Sequence, residues 1–471
     1  MGGNYEKGMF RHLQETLERV DFLTNEISTF RKETAKDFKT LKSENQRLEK
    51  ENRTLRAEKL KDIINKNSGN SSKPPSSDEF VKINNSREKS GKKPGGQFGH
   101  KGHKPKLYEN PTEVIDIKQE KCVCGNTVRY DERYTAKQLV DIEIRTNVTE
   151  YRCYVGVCEC CRIKIKNTAP INDLITYGSN LKSFSAMLTA EGCVSINRTQ
   201  RMVSEFTNGL VNLSEGTIAK WVCDLASQVS PALDKIKEKL LTSPVLHKDE
   251  TGIRIGKTLH WFHVLSNSTH TFYSSHVKRG KQADRDMGVL PLYSGVLVHD
   301  HLVGLYDFTC DHAECNAHIL RYLKATIENK KRKWAQDMIK LLLEAKNCGK
   351  TSKLSDRYDE ILKQGVKEFI KDESPDYNGD DMKLLRRMQK YKVEHLRFLT
   401  DEEVPFDNNQ AERDLRMIKA KMKISGCFRS NDGGEIFANI KSYTSTLRKN
   451  GKNIFDGVKA AFQFQPVLCY E

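Results

Sequence analysis

The sequence predicts a multidomain α+β chain: an N-terminal coiled coil, a small zinc-ribbon-like β domain, a helical region, and an α/β core carrying a helical insertion. Three observations predict it. Residues 8 to 62 carry apolar heptads. Six cysteines gather in two groups between residues 111 and 170. Farther along, two apolar stretches each end on an acid and enclose two strand-like runs, and a helical stretch with a third acid follows much later.

The first segment, residues 8–64, is highly charged and free of Pro and Gly after Gly8. One seam runs Leu13, Val20, Ile27, Thr34, Leu41, Leu48, Leu55; the other runs Phe10, Leu17, Thr24, Arg31, Phe38, Asn45, Asn52. These are the d and a positions of a coiled coil, weakened in its middle by Thr24, Arg31 and Thr34. Asn at a in two successive heptads favours a parallel, in-register dimer, so a homo-oligomer is expected. The competing reading is one long helix folded back on its own chain.

Residues 65–110 change to Asn, Ser, Gly, Pro and Lys. Between Lys82 and Lys106, eight Lys or Arg face one acid, Glu88. Such a tract cannot bury enough surface to fold alone. Two uses fit it. Lys92, Lys93, Lys101 and Lys104 would neutralise nucleic-acid phosphates, or the tract is a solvated linker.

Residues 111–170 hold Cys122, Cys124, Cys153, Cys158, Cys160 and Cys161, with strand-like stretches at Gln138–Glu143 and Thr149–Val157. Two cysteine pairs some thirty residues apart suit a tetrahedral structural Zn²⁺. Cys122 with Cys124 and Cys158 with Cys161 are the expected ligands. A swap to Cys160 or Cys153 stays open, as do reduced, unbound thiols.

Residues 171–232 read as helices at Asn180–Glu191, Arg198–Thr207 and Glu215–Gln228, with Gly209 in a turn and Ser214 as an N-cap. Two readings fit the last pair. A helix-turn-helix would present Lys220 to DNA; an ordinary helical hairpin would bury Trp221 and Val222.

Residues 233–430 form the expected core. Asp249 closes Pro-Val-Leu and Asp300 closes Gly-Val-Leu-Val-His. Between them Leu259–Leu265 and Thr271–Ser275 read as a hairpin, followed by a basic helical piece. A charged helical insertion spans about 316–400, with Ile319, Leu323, Ile327, Met338, Leu341 and Leu342 as apolar faces. Cys315 and His318 open it at one-turn spacing, which suits packing or orienting because two groups cannot close a zinc site. Glu412 lies on a helix whose apolar face is Ala411, Leu415, Ile418 and Met422, with Glu412, Arg416 and Lys419 as a separate polar stripe. Residues 431–471 return to helix, with Lys441, Arg448 and Lys449 expected to be exposed. A meander that starts and ends on an acid, followed later by a helix bearing a third, is the ribonuclease H-like order.

Taken singly, each acid is equally a solvated turn or helix-face residue. Together with their surroundings they resemble the insertion-sequence-66 family of bacterial transposases in its DDE catalytic domain. The matching pieces are Asp249-Glu-Thr, Val-His-Asp300, Cys315-Asn-Ala-His318 and Asn408-Asn409-Gln-Ala-Glu412-Arg413-Asp-Leu-Arg416, with Asn67–Asp78 and Gly95–Gly102 upstream. The one-residue spacer of Cys122-Val-Cys124 departs from the two-residue spacer expected there.

The resemblance implies that Asp249, Asp300 and Glu412 hold two Mg²⁺ ions, with Mn²⁺ as a substitute, for DNA cleavage and strand transfer. Oxygen donors suit that ion. It further implies binding to double-stranded DNA, both terminal inverted repeats and target, with accessory proteins of the same element as further partners. Arg413, Arg416 and Lys419 would meet phosphates. Asn408 and Asn409 would orient Glu412 or donate to the backbone. The rival class is a zinc-containing dimeric DNA-binding protein without chemistry, which leaves the acids and hairpin without a purpose.

A net charge of +16 and a pI near 9.1 fit a polyanionic partner, or simply a soluble basic protein. No apolar run is long enough to cross a membrane and the first residues lack an apolar signal core, so a cytoplasmic, nucleoid-associated location is expected. In that setting thirteen cysteines would be metal ligands or buried thiols rather than disulfides.

Overall fold

The computed structural model describes residues 3–65, 106–348, 353–372 and 376–467. The basic tract with Lys92, Lys93, Lys101 and Lys104 lies outside the described residues. Two units are distinguished: residues 1–84 with 321–336, and residues 85–320 with 337–471. In the first, α1 (Gly3–Asn65) is one continuous helix, as the heptads predict. The seam residues Leu17, Val20, Ile27, Phe38, Leu41 and Leu48 are all solvent-exposed on it.

In the second unit the cysteine segment forms little regular structure. A two-stranded antiparallel pair, β1 (Val155–Val157) and β2 (Lys164–Lys166), and an isolated bridge from Lys121 to Thr127 are its pairings among the described residues. The expected strand at Gln138–Glu143 is absent, and only the end of Thr149–Val157 pairs. The apolar residues there, Leu139, Val140 and Ile142, stay exposed, so no buried face fixes a strand.

Four helices follow: α2 (Ser179–Ala190), α3 (Ile196–Phe206), α4 (Glu215–Gln228) and α5 (Ser230–Leu241). Ser195 and Ser214 cap α3 and α4 by accepting from the N–H groups of Arg198 and Thr217. Between these helices Gly209 takes φ +78°, a left-handed value that favours glycine.

A five-stranded sheet is the centre of the unit, built from β3 (Val245–Ile255), β4 (Thr258–Ser266), β5 (Thr271–His276), β6 (Val296–His299) and β7 (Asp311–Glu314). Its order is β5-β4-β3-β6-β7, the first three antiparallel and β6 and β7 parallel to β3. The short helix α6 (Lys281–Asp286) supplies the crossover between β5 and β6. β3 runs past Asp249 instead of ending there. Its charged stretch stays in a central strand because Lys248 and Glu250, on one face, form a buried ion pair with each other.

Helices cover both faces. On one, Leu233, Ile236 and Leu240 of α5 pack on Leu246, Leu265, Phe272 and Leu297. The other carries α12 (Asn409–Asp414), α13 (Arg416–Ser425) and α14 (Asn431–Lys449), whose Ala411, Leu415, Ile418 and Phe437 pack on Ile253, Phe262, Val264 and Tyr273. Between β7 and α12 lies the insertion: α7 (Asn316–Lys330), α8 (Lys333–Cys348), α9 (Lys353–Ile370), α10 (Asp380–Lys390) and α11 (Lys392–Thr400).

Helix α14 does two further jobs. Ser442 and Thr446, one turn apart, accept from the N–H groups of Tyr273 (2.8 Å) and Thr271 (3.1 Å), so the helix covers the open edge of β5. Gly434 permits the close approach, since a Cβ there would lie 3.0 Å from both Ile255 and Ser275. On its far side α14 joins α2, α3, α4 and α15 (Ile454–Phe462) in a second apolar core around Trp221, Leu225, Tyr443 and Leu447. Of the residues expected to be exposed, Lys441 is buried and pairs with Glu191 at 2.7 Å, Lys449 is half-buried and pairs with Asp414 at 2.9 Å, and Arg448 is exposed. The apolar residues of α14 face two cores at once, which leaves Lys441 no solvent side. Among the described residues no helix is long and apolar enough to cross a membrane.

Candidate active site

The site forms where β3 and β6 run side by side. Their register pairs His247 with Val298, and the same offset brings Asp249 level with Asp300 just beyond β6. Period-two alternation then sends both carboxylates to the face that carries α12. Burial, with Asp300 next to it as the second cause, pushes Asp249 up to about 8. Burial raises Asp300 too, but His318 outweighs it and holds that carboxyl below the ordinary value. The pair is short: His318 Nδ1 lies 3.2 Å from Asp300 Oδ1. Burial opposes the His318 charge, yet Asp300 and then Cys315 raise the imidazole to about 11. One acid is thereby neutralised, while the other sits in a place that disfavours its ionised form.

Asn408 organises this corner. Its Nδ2 donates to the Lys248 carbonyl at 2.8 Å and reaches Asp300 Oδ1 at 3.5 Å, and its Oδ1 lies 2.9 Å from His247 Nδ1. Its backbone N–H donates to Cys315 Sγ at 3.2 Å. It therefore ties β3, the end of β6 and the start of α7 to the entry of α12. Asn409 is exposed, and its N–H is taken by Asp407.

Glu412 is half-buried on α12, which packs across β3 and β4. The structure brings Asp249 and Asp300 together and leaves Glu412 on the flanking helix. Among the described residues, the His, Cys and acid ligand atoms gathered within 4.8 Å of one another are those of Asp300, Cys315 and His318. Cys315 and His318 thus lie in the acid corner, where their spacing suggested a packing or orienting role. The expected single helix bearing Glu412 breaks at Leu415, and its apolar stripe survives the break because Ala411, Leu415 and Ile418 are all fully buried. Arg413, Arg416 and Lys419 line its exposed side.

Sequence reasoning missed the support behind Asp249. Lys248 is wholly buried, with Nζ 3.3 Å from Glu250, 3.2 Å from Asp284 and 3.0 Å from His263 Nδ1. Burial opposes its charge, but Glu250 and then Asp284 prevail and keep it charged. Arg279 adds a 2.8 Å contact to Glu250 from outside. A signal was present: Lys and Glu flanking an acid at period two within a strand place two opposite charges on one face.

The cysteines gather only locally. The Cys122 thiol is lowered by hydrogen bonds from Cys124, first its backbone N–H, and the Cys158 thiol likewise by Cys161. Each pair sits in a tight turn, closed by Cys122 N–H to Asn126 O and by Arg162 N–H to Cys158 O. Lys220 is exposed on α4 beside buried Trp221.

A family model described as Transposase IS66 family matches residues 176–436, more than half of the chain. The chain belongs to the IS66 transposase family. In this transposase the match takes in the sheet, the acid corner and the insertion, and stops inside α14. A second model, a family of unknown function (DUF6444), matches residues 13–106. No curated protein matches the transposase.

Proposed function

We propose that this transposase cuts and joins DNA at the ends of its own element, with Asp249, Asp300 and Glu412 holding two Mg²⁺ ions. The observation that carries the reading is the level placement of Asp249 on β3 and Asp300 just past the end of β6, with α12 packed across β3 and β4. The strand order β5-β4-β3-β6-β7 supports a ribonuclease H-like core.

The residues present fit a divalent cation. Their donors are carboxylate oxygens, which suit Mg²⁺, and Asp249 sits half-buried beside a second acid that disfavours its charge. When bound, such ions supply activation of an attacking oxygen and stabilisation of a leaving one in phosphodiester transfer.

The rest falls to the protein. Asn408 holds Asp300 and the β3 backbone in one orientation, and the buried Lys248 network fixes the strand beneath Asp249. Arg413, Arg416 and Lys419 present cations to phosphates on the exposed side of α12 and α13. Lys220 and the basic tract would add contacts outside the acid corner, and Cys122, Cys124, Cys158 and Cys161 would hold a structural Zn²⁺ once brought together. The exposed seam of α1 would pair with a second copy.

The test is Mg²⁺-dependent cleavage of DNA carrying the inverted repeats that flank the gene, comparing wild type with Glu412→Gln. Cleavage at the repeat tip by wild type alone is expected. Equal cleavage by both proteins would sink the role of Glu412, and binding without cleavage by either would sink the catalytic reading.

A further inference from the structure

Behind the acid corner lies a second buried carboxylate that the proposed chemistry does not use. Glu314, the last residue of β7, is 2 % exposed and pairs across the sheet with His299. Every side of its carboxylate is taken. Oε1 accepts from Tyr306 Oη at 2.7 Å and from His301 Nδ1. Oε2 accepts from Arg387 through Nη2 and Nε (3.0 Å) and from His395 Nε2 at 3.0 Å. Arg387 and His395 come from α10 and α11, in the insertion. His395 is itself held, by Tyr358 Oη at 2.9 Å and by Asn316, which donates to its carbonyl at 2.9 Å.

His301 is the informative member. It follows Asp300 directly and has φ +60°, a conformation that side-chain-bearing residues adopt rarely. The direction in which Asp300 leaves β6 depends on that turn. The His301 backbone N–H donates to His299 Nδ1 at 3.2 Å, and its side chain is held by the bond to Glu314 and by edge-on packing on Tyr306 at 5.9 Å and on Tyr391, between α10 and α11, at 4.8 Å.

We propose that Glu314 is a positioning residue for Asp300, acting through His301, and that the helical insertion exists in part to clamp it. The inference rests on the reading of Asp249 and Asp300 as metal ligands. Asp300 would then reach its metal-binding orientation only when α10 and α11 are docked on β7. Loss of such an outer partner weakens metal binding about 10- to 100-fold in metalloproteins generally.

The test measures Mn²⁺ binding to the full chain without DNA, by loss of the free-ion electron paramagnetic resonance signal, alongside thermal melting in metal-free buffer. Four variants are compared with wild type: Glu314→Gln, His301→Gly, His301→Asn and Asp249→Asn. Glu314→Gln and His301→Gly should each weaken Mn²⁺ binding roughly tenfold. His301→Asn should recover most of it, because Asn tolerates the left-handed turn and its amide can replace the Nδ1 donor. If Glu314→Gln does not fold, His301→Gly carries the test, since glycine keeps the turn and removes only the anchor.

Wild-type affinity in His301→Gly, with binding lost in Asp249→Asn, would overturn the positioning role and leave the metal site standing. A lower melting temperature with unchanged Mn²⁺ affinity would do the same. Undiminished binding in Asp249→Asn would instead overturn the metal reading, and this proposal with it.

Discussion

Asp249 is a half-buried acid beside another acid, and this gives the metal-free protein a dependence on pH. Its carboxyl rises from an ordinary 3.8 to about 8 in the fold. Between those values the unfolded chain has released the proton while the folded chain retains it, so stability falls as pH rises through that window. Replacement by Asn removes this dependence. In chelator-containing buffer, urea unfolding should find Asp249→Asn gaining on wild type between pH 5 and pH 8. Adding Mg²⁺ at pH 8 should stabilise wild type and leave the variant unmoved. A gap that is constant with pH would show that the raised value is wrong. Asp249 and Asp300 were legible as acids carried by strands, because an apolar run ends within three residues before each. Glu314 was not, since its partners His301, Arg387 and His395 come from three separate elements.

Among elements, α14 shows how far from its neighbours in sequence a helix can be anchored. Lys441 is wholly buried and meets Glu191, 250 residues away, which also accepts from Thr444 and from Arg448 at 2.6 Å. Burial raises the Glu191 carboxyl, but Lys441 leads the opposing contacts that bring it to about 2. Truncating one partner of a buried pair strands the other, at about 3–5 kcal/mol. Glu191→Ala should destabilise by that order in urea unfolding, while Arg448→Ala, whose side chain is half exposed, should change stability by about 1 kcal/mol or less. Helix α5 was not read, whereas α2, α3 and α4 were legible to within two residues, the last two marked by the local caps Ser195 and Ser214. The same holds for the β4–β5 hairpin, whose alternation is local too. The burial of Lys441 was not legible, since the second core around α14 is assembled from both ends of the unit.

For the whole molecule, the proposed self-association rests on the exposed seam of α1. If the transposase brings two DNA ends together, as proposed, two copies are needed, and the heptads with Asn45 and Asn52 would pair them in register. Sedimentation of the intact chain should give a dimer. The double change Leu41→Asp, Leu48→Asp should give a monomer that retains its folded catalytic unit, since both residues are exposed on the single chain. A dimer that survives this change would place self-association elsewhere.

The edge of β5 closed by Ser442 and Thr446 has a consequence for how the chain is made. Synthesis releases all five strands before the helix that seals their border, so the nascent sheet waits with its Thr271 and Tyr273 amides open to any passing strand. A fragment cut to the family match, ending at Ile436, would be frozen in that state, lacking Ser442, Thr446 and the mate of Glu191. It should be recovered as aggregate, and supplying residues 431–467 as a separate peptide during refolding should rescue it.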